Sequence, residues 1–270
     1  MTKILFTDLD DTLLTTEKQV CPENQQAIQK LIKQGHKIVL TTGRSLPSTL
    51  KQAKNLKLTF NDCYVVSFNG GEIYDTYHEV SLYKSRLSME LVSNIFQLAK
   101  AYGVHVQTYD ELYVLAHQEN TQLFRYCQAM SCEYRIVDNV LTALHDGPPK
   151  ILLVNYENHA ILDEMRKIIL EKYGDQVDSF YSNPAYLEVM EKGTNKGSAV
   201  RKLSHILNIP LENTIAVGDA MNDIPMLNTA HIGVAVSNAD ECVKEAADYI
   251  TAADHNHGAV AEVIQKFLLA

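Results

Sequence analysis

Short β-branched runs alternate with longer amphipathic segments at both ends of this chain, and that alternation restricts the possible folds more than any other feature. In the first third, Ile4-Leu5-Phe6, Ile38-Val39-Leu40 and Tyr64-Val65-Val66 read as strands. Helical periodicity over Glu23 to Gln34 and near Leu50 separates them. In the last third a helix over Lys196 to Leu207 precedes Thr214-Ile215-Ala216-Val217. A helix near Pro225 to Leu227, the strand Ile232-Gly233-Val234 and a helix after Gly258 complete that part. Strands alternating with helices form parallel sheets joined by crossover helices, so both ends are expected to build one α/β sheet.

Between the ends the order changes. A helix over Met89 to Tyr102 is followed by Val104 to Thr108 and Leu112 to Ala116 as paired strands. A helix near Leu123, the strand Ile151 to Val154 and a helix over Ala160 to Lys172 follow. Consecutive strands before the return of helices indicate an α+β domain with an antiparallel sheet. The expected organisation is therefore a Rossmann-like parallel-sheet α/β core of residues 1–82 and 188–270, interrupted by an α+β insertion of residues 83–187.

At 270 residues and 46% hydrophobic composition the chain can bury a full core without disulfides or a structural metal. Its 33 acidic against 24 basic residues, net charge −9, argue against a nucleic-acid partner and favour small solutes. Cys21, Cys63, Cys127, Cys132 and Cys242 are odd in number and contain no C-x-x-C pair, the pattern of reduced thiols in a cytoplasmic protein. No secretory h-region precedes Asp8, and no apolar run is long enough for a membrane helix. The composition is compatible with a monomer or a homodimer.

Four polar residues follow the apolar strands of the expected parallel sheet: Asp8, Thr42, Asn69 and Asp219. Ligands of open parallel sheets bind outside the carboxyl ends of the strands, so these side chains should meet in one crevice. Asp8 and Asp10 stand at i and i+2, on one face of an extended segment, where paired acids can hold a divalent cation. One such carboxylate can act as a nucleophile toward phosphorus and its neighbour can exchange a proton. Asp10 and Asp11 also suit a turn. Thr42-Gly43-Arg44 could admit a phosphate to backbone N–H groups or form a simple turn. Lys196 opens a helix, where an anion is favoured, and would otherwise be an ordinary surface lysine. Asp8 and Asp219 with one backbone carbonyl would suffice for Mg²⁺, and Asp219, Asn222 and Asp223 could instead cap a helix. Asn69 and Arg44 could touch substrate or fix their loops. The ten histidines form no zinc motif, and His255 and His257 read as solvated loop residues.

Taken in order, D-x-D-D-T-L-L, T-G-R, the K-G helix start and G-D-A-M-N-D resemble the haloacid dehalogenase superfamily, specifically its Cof-type phosphatases with a subclass IIB cap. Ser67-Phe68-Asn69-Gly70-Gly71 and Tyr186-Leu187-Glu188-Val189 extend the resemblance over nearly the whole chain, with Asp11 where many relatives carry Gly. The resemblance implies an Mg²⁺-dependent phosphatase that hydrolyses small phosphate monoesters, such as sugar phosphates, through an aspartyl phosphate on Asp8. Asp10 would be the general acid and base; Thr42 and Lys196 would act on the transferring phosphoryl group. Thr42, Gly43, Lys196 and Asn222 would bind substrate. Asp8, the Asp10 carbonyl and Asp219 would hold the metal, and Asp223 would orient Lys196 or the metal shell, with Asn69 and Arg44 in support. The insertion would be a cap that excludes water and selects the leaving group.

Three other functions remain open at this level. A phosphomutase shares the phosphorylated aspartate and differs in returning the group to a sugar. A receiver-like signalling domain groups similar residues, but its phosphoacceptor follows the third strand, where this chain has Asn69. A non-catalytic phosphometabolite-binding regulator would have little reason to retain Asp8, Asp10, Thr42, Lys196 and Asp219 together.

Overall fold

The computed structural model describes residues 1–269. In chain order the elements are β1 (Ile4–Asp8), α1 (Pro22–Lys33), β2 (Lys37–Thr41), α2 (Leu46–Asn55), β3 (Cys63–Ser67), β4 (Glu72–Asp75) and β5 (Val80–Lys84). There follow α3 (Met89–Ala101), β6 (His105–Tyr109), β7 (Val114–Ala116), α4 (Thr121–Met130), β8 (Tyr134–Ile136), α5 (Val140–Ala143), β9 (Ile151–Val154), α6 (His159–Tyr173), β10 (Val177–Asn183) and β11 (Tyr186–Glu191). The chain closes with α7 (Lys196–Ile206), β12 (Thr214–Gly218), α8 (Ile224–Leu227), β13 (Ile232–Ala235), α9 (Glu241–Ala246), β14 (Tyr249–Ile250) and α10 (Ala259–Phe267).

Two compact units result. The first holds Met1–Gly43, Thr49–Tyr83 and the chain from Asn195 onward; the second holds Arg44–Ser48 and Lys84–Thr194. The expected second boundary, after residue 187, differs from this division. Tyr186–Glu191 is β11, antiparallel to both β9 and β10, so Glu188 and Val189 belong to the second unit's sheet. No Gly/Ser-rich linker marks the junction, which is why the sequence places it too early.

The first unit is an eight-stranded sheet in the order β14-β13-β12-β1-β2-β3-β4-β5. From β14 through β3 every pairing is parallel, and β4 runs antiparallel to β3. The runs ILFTD of β1 and TIAVG of β12 are buried at every position, as expected of strands covered on both faces. Strands β12, β1, β2 and β3 are consecutive neighbours, so the residues that end them stand in a row.

The second unit has a six-stranded sheet in the order β10-β11-β9-β6-β7-β8. Its pairings are antiparallel except that β7 and β8 run parallel. Leu91, Val92 and Ile95 of α3 and Leu162, Met165 and Ile169 of α6 pack with Val106, Ile151, Leu153, Leu187 and Val189 to form its core. Cys21, Cys63 and Cys127 are buried and Cys242 is exposed, all with free thiols. Among the described residues no helix is long and apolar enough to cross a membrane.

Beyond β1 the backbone makes one wide turn over Leu9–Leu13, closed by Leu14 N–H donating to the Leu9 carbonyl at 2.9 Å. Asp11 sits in this turn at φ +59°, ψ 15°, a left-handed conformation that Asp and Gly tolerate better than other residues. We expect Asp11→Val to lower unfolding stability in urea by about 1–2 kcal/mol, and Asp11→Gly to change it by no more than about 0.5 kcal/mol. Equal losses in both variants would mean that the side chain, not its backbone conformation, matters here.

Candidate active site

At the end of the parallel sheet Asp8, the last residue of β1, lies in one cluster of side chains with Asp219, and Thr42 is hydrogen-bonded to Asn69. Lys196, the first residue of α7, is almost fully buried. Its ammonium donates to Asp8 Oδ1 at 2.5 Å and to Asp223 Oδ1 at 2.5 Å. Oxygens of Asp8, Asp219 and Asp223 lie within 4.8 Å of one another. The approach of α7 depends on Gly70, whose φ is +103° and where an added Cβ would stand 2.3 Å from the Asn195 carbonyl oxygen. Asn195 itself caps α7, accepting from Ser198 N–H at 2.9 Å.

The loop after β12 is fixed by Asp223. Its Oδ2 accepts the backbone N–H groups of Asp219 and Ala220, both at 3.0 Å. A Cβ on Gly218 would come within 2.5 Å of the Asp223 side chain, so this arrangement requires glycine there. Asp223 thus orients Lys196 and shapes the Asp219 loop together. Thr12 adds a contact that the sequence reading did not assign: its hydroxyl donates to Asp219 Oδ1 at 2.6 Å across 207 positions of sequence. Its place inside the D-x-D-D-T run was the available signal.

On the other side of β1, Thr42 N–H donates to Val66 O at 2.8 Å and Asn69 N–H to Thr42 O at 2.9 Å. These bonds tie together the ends of β2 and β3. Asn69, at φ +52°, accepts from Asn222 Nδ2 at 3.0 Å, which links the β3 end to the loop after β12. A Cβ at Gly43 would stand 3.1 Å from the Asn69 amide. Asn69 therefore acts as a strut between the Thr42-Gly43 and Asn222 loops. Arg44 begins the Arg44–Ser48 stretch of the second unit. The Asp10 carboxylate is absent from the acidic cluster and meets Lys18 Nζ at 3.1 Å. His257 is exposed and pairs with Asp254, whereas His255 lies against Thr16 rather than standing free in solvent.

Burial pushes the Asp8 carboxyl well above the ordinary carboxylate range, with the Lys196 charge opposing the rise and the Asp223 and Asp219 charges adding to it. Burial likewise raises Asp219 to about 7, against the stabilising hydrogen bond from Thr12. Burial alone would lower Lys196, but the Asp223 and Asp8 carboxylates hold it above its usual value. Three carboxylates facing one ammonium leave an excess of negative charge. Their donors are all hard oxygens, which fits Mg²⁺ with several retained waters.

Known proteins resemble this chain in sequence and in fold. The sequence model of the haloacid dehalogenase-like hydrolases matches residues 5–264. A 5-amino-6-(5-phospho-D-ribitylamino)uracil phosphatase of Bacillus subtilis (strain 168) is 29% identical, over 99% of this chain and 96% of its own. A haloacid dehalogenase-like hydrolase from Bacteroides thetaiotaomicron superposes with a TM-score of 0.89 at 27% identity, covering 98% of this chain and 99% of that one. A subclass IIB sugar phosphatase does so with a TM-score of 0.81 at 25% identity, covering 99% and 100%. The match of nearly the whole chain, in sequence and in fold, places it among these proteins: it belongs to the haloacid dehalogenase-like hydrolase family.

Proposed function

We propose that this haloacid dehalogenase-family phosphatase hydrolyses small phosphate monoesters in an Mg²⁺-dependent reaction that passes through an aspartyl phosphate on Asp8. The observation that carries the reading is the buried Lys196, shared by Asp8 and Asp223 and set beside Asp219. Asp8, Asp219 and the Asp10 carbonyl would hold the cation, which when bound offsets the repulsion between an anionic nucleophile and an anionic substrate.

In the first step an Asp8 carboxylate oxygen bonds to phosphorus as the bond to the leaving oxygen breaks, and Asp10 gives that oxygen its proton. In the second, water attacks phosphorus, its proton passes to Asp10, and the Asp8–phosphorus bond breaks to release phosphate. The Lys196 ammonium has three protons. Two engage Asp8 and Asp223, and the third is available to a phosphoryl oxygen. Thr42, nearly fully buried at the end of β2, would supply a hydroxyl and Gly43 a backbone N–H to the other oxygens. Asn222, in the loop after β12, would reach the substrate.

The names of two relatives, one acting on a ribitylaminouracil phosphate and one described as a sugar phosphatase, favour a primary phosphate ester of a sugar or sugar alcohol. The protein would meet it as a free metabolite in the cytoplasm. A screen of hexose and pentose phosphates, ribitylaminouracil phosphate, pyridoxal phosphate and nucleotides identifies the substrate. The reaction itself is tested with p-nitrophenyl phosphate: turnover with Mg²⁺ and none with EDTA is the expected result, and undiminished turnover in EDTA refutes the metal requirement.

The raised Asp219 gives the metal step a pH dependence. Its pKa in the metal-free protein, about 7, stands above the ordinary carboxylate value of 3.8. The stability it contributes is therefore complete below the lower value and is lost as pH rises through the higher one. Cation binding requires the ionised form, so protons compete below pH 7. Calorimetry should find Mg²⁺ affinity falling as pH drops below 7, by about tenfold per pH unit for the Asp219 proton alone, with proton uptake on release. A flat profile from pH 5 to 8 would remove Asp219 from the metal site.

A further inference from the structure

Between β1 and α1 the chain makes a small hairpin that the reading above does not use. Leu14 and Val20 pair across it, Thr15 N–H donates to Gln19 O at 2.8 Å, and Lys18 N–H donates to Thr15 O at 2.8 Å. The turn puts Lys18 at φ +58°. From there its half-exposed ammonium reaches back to Asp10 Oδ1 at 3.1 Å and Asp11 Oδ1 at 3.6 Å. The hairpin is held from outside. Asn256 Oδ1 accepts from Thr16 N at 3.0 Å, and the Thr16 hydroxyl lies 3.3 Å from both Asn256 Oδ1 and His255 Nε2. The wide turn carrying Asp10 is anchored by the same region: Asn238 Nδ2 donates to Asp11 O at 2.8 Å, and Asn238 Oδ1 accepts from His255 N at 3.0 Å.

We propose that Lys18 is a positioning residue for Asp10, fixing the direction in which its carboxyl group delivers and takes up the proton. The proposal rests on Asp10 serving as acid and base in the reaction above. A carboxyl group turns about its side-chain bonds unless contacts hold it, and proton transfer depends on geometry before anything else. Lys18 restricts that rotation from a hairpin whose own position is set by Asn256. It acts on Asp10 and not on the transferring phosphoryl group, so its removal should be felt only where the leaving oxygen needs a proton.

The test compares phenyl phosphate with p-nitrophenyl phosphate, esters of similar shape. Phenoxide is a poor leaving group and needs the acid, whereas p-nitrophenoxide leaves without it. The parameter is kcat/KM, which ends with departure of the leaving group. In Lys18→Met the value for phenyl phosphate should fall about tenfold or more, part of the 10²–10⁴-fold worth of general acid catalysis. That for p-nitrophenyl phosphate should change by less than about threefold, since its leaving oxygen does not draw on the acid. Lys18→Arg should restore most of the loss. In an Asp10→Asn background, Lys18→Met should change neither value, because the two residues then no longer act as a pair.

Equal losses on both esters would assign Lys18 to substrate binding, no loss would give it no part in the reaction, and an additive loss on top of Asp10→Asn would separate it from Asp10. Each of these overturns the proposal while leaving the phosphatase reading intact. Failure of the unsubstituted enzyme to hydrolyse either ester with Mg²⁺ would instead overturn that reading and this one with it.

Discussion

Replacing Asp8 with Asn is expected to reduce Mg²⁺-dependent hydrolysis of p-nitrophenyl phosphate by about four orders of magnitude or more, the scale on which loss of a nucleophile acts in other hydrolases. The fold should survive. Asp8 is 7% exposed, and burial already disfavours its charge, so a neutral side chain of the same shape relieves desolvation. Lys196 retains its second partner, Asp223, at 2.5 Å. Thermal unfolding of Asp8→Asn in EDTA should therefore occur at or above the temperature of the parent protein. Acid-quenched parent enzyme should carry phosphate on the peptide containing Asp8, and the variant should carry none. Turnover at the parental rate in a folded Asp8→Asn protein would end the aspartyl-phosphate mechanism.

Lys196→Met should act on rate and stability together. Its ammonium is the shared cation of Asp8 and Asp223, and all three side chains are at or near full burial. Removing one partner of a buried ion pair leaves charge uncompensated, at a cost of about 3–5 kcal/mol. The loss of a charged donor to the phosphoryl group should lower kcat by about 10²–10³-fold. Mg²⁺ ought to recover part of the stability, because it supplies positive charge to the same oxygens, and little of the rate. Urea unfolding with and without Mg²⁺ measures the first, and steady-state kinetics the second. A variant as stable as the parent in EDTA would show that the Lys196 bridges do not hold the cluster together.

The core of this arrangement was legible in the sequence because each strand announces itself by a β-branched run and ends in a polar residue. Asp8, Thr42, Asn69 and Asp219 could be assigned to one end of one sheet from that pattern alone, and β12, β1, β2 and β3 are indeed consecutive neighbours. The contacts among the side chains were not legible. The hydroxyl of Thr12 on Asp219 and the Asn222–Asn69 bond join residues 207 and 153 positions apart, and no local periodicity encodes such a meeting. The Lys18–Asp10 contact is hidden for another reason: Lys18 reaches Asp10 through a hairpin whose turn has a left-handed residue other than glycine. In the second unit, β10 and β11 are hard to read because Val177–Asn183 and Tyr186–Glu191 mix polar and apolar residues, although Asn183-Pro184 between them is a turn signal.

The pairing of β1 with β12 also governs how the protein can be made. Ile4 lies opposite Thr214, and Thr7 opposite Val217. More than two hundred residues must leave the ribosome before that edge of the first strand finds its neighbour. Until then a strand that begins Ile4-Leu5-Phe6 offers unpaired N–H and C=O groups, a template for association with other chains. Nascent chains halted before residue 214 are therefore expected to depend on chaperones, and to lack Asp219 as well as a settled sheet. Pairing of β12 with β1 and arrival of Asp219 and Asp223 then come nearly together, so a chain whose first strand still lacks this neighbour has no assembled catalyst.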